Sequence, residues 1–135
     1  MGKIDPVKLW SLQYRLLMSV ITGVAPKLSE LGLEVKELFV LAEIDEHPHP
    51  AELASVLCMP KPTVTVNIKR LEAAGLVKRE IDTEDLRRYR LIVTPAGRRA
   101  LDRGLHLLSQ AFGERLGRLS ATKQSELKAL LEQMG

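Results

Sequence analysis

Only one cysteine, Cys58, occurs among the 135 residues, which excludes an internal disulfide framework and agrees with a reducing compartment. No run of about 18 apolar residues is present, so no segment is expected to span a membrane. The N-terminus has no cationic stretch leading into an apolar one and a cleavage site, and a cytoplasmic placement follows as the expectation. Aromatic residues are scarce, one Trp, two Tyr and two Phe, which leaves few side chains for a stacking surface. A Gly-rich phosphate loop, a metal-ligand cluster and a nucleophile with a sequence-evident base are all missing. Neither an enzymatic activity nor a metal or other cofactor is therefore expected. His47 and His49 are imidazoles of the kind that bind zinc, but no Cys or third His stands at ligand spacing nearby. Pro48 and Pro50 make the segment read as a turn.

What is present is a core's worth of apolar residues, 45% of the chain, in a length that suits one domain with an oligomerisation element rather than two independent domains. The formal charge is +3, and it is unevenly spread. Residues 1–60 carry 5 Lys/Arg against 8 Asp/Glu, residues 61–103 carry 11 against 6, and residues 104–135 carry 4 against 3. The middle segment is the basic one. Charge concentrated in this way steers a polyanion and supplies affinity through counterion release.

That basic segment overlaps a stretch, Pro50 to Thr94, that reads as helix, turn, helix and two-stranded hairpin. Pro50 suits N1 of a short helix whose apolar stripe is Leu53, Val56 and Leu57. The turn Cys58-Met59-Pro60-Lys61 leads to Pro62, which opens a second helix. There Val64, Ile68 and Leu71 recur at i, i+4 and i+7 and must face inward, which turns Pro62, Val66 and Lys69 outward, flanked by Thr63, Thr65 and Arg70. Hydroxyls, a small apolar group and cations suit a DNA groove: hydroxyls can bond base edges or phosphates, Val66 can meet a thymine methyl, and Lys61, Lys69 and Arg70 can neutralise phosphate.

After Gly75, a helix terminator, Val77, Arg79 and Ile81 alternate with Lys78 and Glu80. On the return, Tyr89, Leu91 and Val93 alternate with Arg88, Arg90 and Ile92. Period-two alternation on both sides of the polar run 82–87 predicts a hairpin with an exposed tip. Arg87 at that tip, with Arg88 beside it, is placed to enter a minor groove, and Asp85 and Asp82 are expected to hold its guanidinium.

These residues resemble the winged helix-turn-helix of the MarR family of bacterial transcriptional regulators. The likeness rests on Pro62-Thr63-Val64-Thr65, on the run from Arg70 to Val77, and on the wing pattern Asp82-x-x-Asp85-x-Arg87 closed by Thr94-Pro95-Ala96-Gly97. It covers about 45 residues, and the order of helices outside them fits the family. Three positions depart from the pattern: Asn67 stands where an aliphatic residue is usual and needs a polar partner, while Pro62 and Val66 replace polar or basic side chains. The resemblance implies a mainly α fold with a small β-hairpin wing, one unit over residues 1–135 in which the winged lobe, 32–103, is flanked by dimerisation helices, 1–31 and 104–135.

The flanks have the matching periodicity. A first helix opens with Asp5 as N-cap and Pro6 at N1, runs through Leu9, Leu12, Leu16, Val20 and Val24, and is expected to kink or end near Ala25 because of Pro26. The next spans Glu34 to Glu46. A long helix from Pro95 to about Gly117 carries Leu101, Leu105, Leu108, Phe112 and Leu116. Ser120 caps a last helix with an apolar edge of Leu127, Leu130, Leu131 and Met134, which has little domain left to pack on. A homodimer is expected, with contacts at Leu9, Leu16, Val20, Phe112, Leu116, Leu127 and Leu131, bringing two recognition helices to a pseudo-palindromic operator. By resemblance, a small aromatic or amphipathic effector would lie near Trp10, Tyr14, Phe39 and His106. A repressor of this kind competes with two other readings: a winged-helix protein–protein adaptor, which would show an acidic or broadly apolar recognition face, and an architectural binder indifferent to DNA sequence.

Overall fold

The computed structural model describes residues 2–135. Eight elements follow in order: α1 (Pro6–Glu30), α2 (Val35–Glu43), α3 (Pro50–Leu57), α4 (Lys61–Ala73), β1 (Val77–Ile81), β2 (Tyr89–Val93), α5 (Pro95–Leu116) and α6 (Ala121–Met134). The strands pair antiparallel, with Val77 opposite Val93, Arg79 opposite Leu91 and Ile81 opposite Tyr89. Among the described residues no single helix is long and apolar enough to cross a membrane.

Local chemistry sets most helix starts. The Asp5 carboxylate accepts from the Val7 amide ahead of Pro6. Glu34 and Glu37 form a reciprocal capping box on α2, and burial holds the Glu37 carboxyl above its ordinary range. The Ser120 hydroxyl accepts from the Lys123 amide. Thr94 does two things: its hydroxyl accepts from the Gly97 amide and donates to the Gly75 carbonyl at 2.6 Å, tying the start of α5 to the turn before β1. That contact leaves no room at Gly97, where a Cβ would lie 2.0 Å from the Leu76 carbonyl oxygen.

The core is built from Leu28, Leu33, Leu38, Leu41, Ile44, Leu53, Val64, Ile68, Leu71, Val77, Leu91 and Leu101. α2 and α5 pack across it, with α3 and α4 closing one side and the end of α1 the other. Gly104 on α5 lets Leu38 approach, since a Cβ there would meet Leu38 Cδ1 at 2.6 Å. No residue of α6 is buried.

Four sequence expectations change. α1 does not end near Ala25 but runs through Pro26 to Glu30. Proline removes one amide donor there, yet Val24 and Leu28 on either side are buried in the core, and that packing holds the final turn until Gly32 reverses the chain with φ of +76°. On α3 the inward pair is Leu53 and Ala54, while Val56 is exposed, because α3 approaches α4 on the side of the smaller residue. The recognition helix starts one residue early, at Lys61, and α2 stops at Glu43 rather than Glu46.

Candidate nucleic-acid interface

The helix-turn-helix is set by a left-handed residue. Cys58 ends α3 with φ of 53°, its amide donating to the Ala54 and Ser55 carbonyls, and Met59 and Pro60 carry the chain into α4. Along α4, Val64, Asn67, Ile68 and Leu71 are buried. Lys61, Pro62, Thr65, Val66, Lys69 and Arg70 are exposed and Thr63 is half-buried. Asn67 finds its polar partner inside its own helix, donating from Nδ2 to the Thr63 carbonyl at 2.9 Å. Thr65 likewise donates to the Lys61 carbonyl, which leaves its oxygen lone pairs facing out. Arg70 differs from Lys61 and Lys69 in that its guanidinium pairs with Glu34, the N-cap of α2, at 2.9 Å.

The wing loop between β1 and β2 is held by its own carboxylates. Asp85 accepts from the Arg87 amide at 3.0 Å and from Arg87 Nε at 3.3 Å, and Arg87 is otherwise almost fully in solvent, its side chain 93% exposed. Asp82 does not reach Arg87, contrary to the sequence expectation. It accepts instead from the Glu84 amide at 2.9 Å, from Arg88 Nε at 3.2 Å and lies 2.7 Å from His49 Nε2. The side chain at 82 points back toward the wing base, so it meets α3's N-terminus rather than the tip. The Glu84 amide, followed by His49, pulls the Asp82 carboxyl down to about 2. Arg88 is thus a base clamp while Arg87 is the projecting cation.

The wing's first strand is braced from beneath. Arg79 donates to both oxygens of Glu72 at 2.8 and 2.9 Å and lies 4.4 Å over the Tyr89 ring, a cation–π contact between facing strands and the end of α4. His49, read from the sequence as turn filling, is the residue whose role was missed: it bridges Glu52 and Asp82. It stands at the N-cap of α3, where a short hydroxyl side chain would cap, but makes no cap bond; an N-cap filled by an imidazole was the available signal.

Away from this face, Trp10, Tyr14 and Phe39 share one apolar cleft of about 520 Å³ with Leu17, Leu108 and Phe112. His106 is not part of it and lies instead beside Lys27, Glu30 and Arg103, because two residues before Leu108 is just over half a turn around α5, on the opposite face. Leu9, Leu16, Phe112 and Leu131 are exposed apolar residues, Leu116 and Leu127 are half-buried, and Val20, 7% exposed, is already packed within the chain.

With this geometry the chain can be set beside known proteins. A MarR family model matches residues 31–88, the span from the end of α1 to the wing. The HTH-type transcriptional repressor Rv2887 of Mycobacterium tuberculosis is 31% identical over 137 residues, an alignment that covers 100% of this chain and 99% of the relative. The chain belongs to the MarR family. Among solved MarR structures, Rv2887 in complex with DNA is 29% identical with a TM-score of 0.77, covering 98% of this chain and 99% of that one. Rv2887 in complex with salicylic acid has a TM-score of 0.78 at 29% identity over the whole of both chains. A MarR family regulator from Rhodococcus sp. RHA1, at 21% identity, shares the fold with a TM-score of 0.84, covering 98% of this chain and 97% of that one. The two-stranded wing and the helices around it are thus those of a MarR winged helix-turn-helix regulator.

Proposed function

We propose that this MarR-family chain is a sequence-specific transcriptional repressor that binds a pseudo-palindromic operator as a cytoplasmic homodimer. α4 enters the major groove and Arg87 the adjacent minor groove. The observation that carries the reading is the outward face of α4, where two hydroxyls, Val66 and the cations Lys61 and Lys69 stand over an inner face of Val64, Ile68 and Leu71, with Asn67 satisfied within its own helix. Such a face offers base-edge and phosphate contacts together. The DNA complex of the M. tuberculosis relative supports it. Two copies would set their recognition helices about 34–36 Å apart, one helical turn of DNA.

Release by a small aromatic acid belongs to the same reading. Support comes from the salicylic acid and p-aminosalicylic acid complexes of the same relative and from the apolar cleft at Trp10, Tyr14 and Phe39. Selection from a pool of random duplexes at physiological salt, followed by sequencing of the bound fraction, tests the DNA half. A two-fold symmetric motif is expected. Recovery of unselected sequence would mean an architectural binder, and no binding at all an adaptor.

A further inference from the structure

His49 lies between two carboxylates. Its Nδ1 is 2.9 Å from Glu52 Oε1 and its Nε2 is 2.7 Å from Asp82 Oδ2, and the ring is only 15% exposed. A neutral imidazole has one N–H and one lone pair. Placed here, it would satisfy one carboxylate and set its lone pair against an oxygen of the other. Only the imidazolium donates to both.

The partners make this contact a mechanical one. Glu52 is in the first turn of α3, whereas Asp82 begins the wing loop: its amide donates to the Arg88 carbonyl and its second oxygen takes the Glu84 amide. One residue before His49, the Pro48 carbonyl accepts from the Leu91 amide of β2 at 2.8 Å. The segment 48–49 therefore holds the wing at two points, one on each side of the loop that carries Arg87. Two other charged or titratable groups face this cluster: Arg88 on Asp82 at 3.2 Å, and His47, whose Nδ1 is 3.5 Å from the other Glu52 oxygen. Neither spans from α3 to the wing.

We propose that His49 is a positioning residue for the wing, whose protonated ring clips the wing loop to the helix-turn-helix and whose deprotonation loosens the hold on DNA. The proposal rests on the DNA-binding reading above only for its consequence, not for the clip itself. Imidazole is the side chain whose charge changes within about pH 5 to 8, and only its protonated form donates to both carboxylates. The Glu52 carboxyl is held below its ordinary range, chiefly by the hydrogen bond from His49.

Two measurements on the full chain test this. In the DNA-free protein, amide exchange at Asp82, Arg88 and Leu91, corrected for intrinsic rates, is expected to lose protection as pH rises across the imidazole range of about 5 to 8, and His49→Gln, neutral throughout, to remove that dependence. Affinity for the selected operator is expected to fall by about fivefold over the same range, the low end of ordinary coupling between sites, with His49→Gln fixed near the alkaline wild-type value. Equal pH dependence of wing exchange in wild type and variant overturns the clip. If exchange responds but operator affinity keeps the same slope in both proteins, the link from clip to DNA is overturned. Failure of the wild type to select any duplex sinks the repressor reading, and the exchange experiment still decides the clip.

Discussion

Arg87 and Lys69 carry the same charge to different ends. Arg87 makes a single side-chain contact from Nε to Asp85 and leaves the rest of its guanidinium in solvent, the arrangement the proposed minor-groove contact would use. Arg87→Ala is expected to weaken operator binding by about 1–3 kcal/mol, most on operators whose flanks have a narrow minor groove. Lys69, exposed on α4 without an ion-pair partner among the described residues, should behave as a phosphate contact. Lys69→Ala is expected to lower affinity alike on every sequence and to reduce the slope of log K against log salt by about 1. Titrations at several salt concentrations separate the two, and if both variants bind as the wild type does, the docking geometry is wrong. A different residue-scale limit sits at Gly97. Its missing Cβ makes room for the Leu76 carbonyl, an obstacle that is backbone, whereas at Gly104 the obstacle is the mobile end of Leu38. Gly97→Ala is thus expected to cost at least about 1–3 kcal/mol and Gly104→Ala less, which parallel denaturant titrations would show. Equal losses would mean that the α5 start can shift.

At the scale of elements, what was legible in the sequence was what neighbours along the chain decide. The alternation from Val77 to Val93 yielded both strands, and Asp5 and Ser120 marked their helices through bonds two or three residues long. Pro26 did not end α1 because its local effect was outweighed by the burial of Val24 and Leu28, and Val56 misled because only the packing of α3 on α4 chooses between it and Ala54. Asp82 was assigned to the wrong arginine for a similar reason: its decisive partner, His49, is 33 residues away. The wing is consequently tied to the helix-turn-helix by an acid whose carboxyl is depressed to about 2 from an ordinary 3.8. A depressed value means stabilisation that is complete above the ordinary value and is lost as pH falls from about 4 toward about 2. Amide exchange of the wing is expected to accelerate over that interval in the wild type. Asp82→Asn should show a looser wing at neutral pH and no further loosening on acidification; a wild-type wing unchanged down to pH about 2 would sink the assignment.

The whole molecule is lopsided. Its core runs from Val20 to Leu101, and beyond Gly104 no residue is buried. α6 is held to the rest of the chain by Gln124, which donates to the Leu116 and Leu119 carbonyls, and by little else, although it exposes Leu130, Leu131 and Met134. A 14-residue helix is marginal alone in water, where isolated helices need roughly 12–15 residues even with favourable composition. At the other end of the sequence α1 exposes Leu9, Trp10, Leu12, Leu16 and Leu17, too long an apolar face for a monomer to leave in solvent. The proposed pairing of these surfaces between two copies would account for both, so that the part of the chain least explained by its own core is the part expected to assemble. A charge in the middle of that surface should separate the copies. Leu131→Asp combined with Leu16→Asp is expected to sediment as a monomer that keeps the folded winged lobe, since neither residue contributes to the core. Each monomer then meets one half-site, and the loss of the second, intramolecular contact is expected to cost about 10²-fold or more in affinity for the full operator, with little change for an isolated half-site. A double variant that still sediments as a dimer would place the interface elsewhere on the molecule. A monomer that binds the full operator as tightly as the wild type would show that the two recognition helices act independently, and the requirement for a palindrome would go with it.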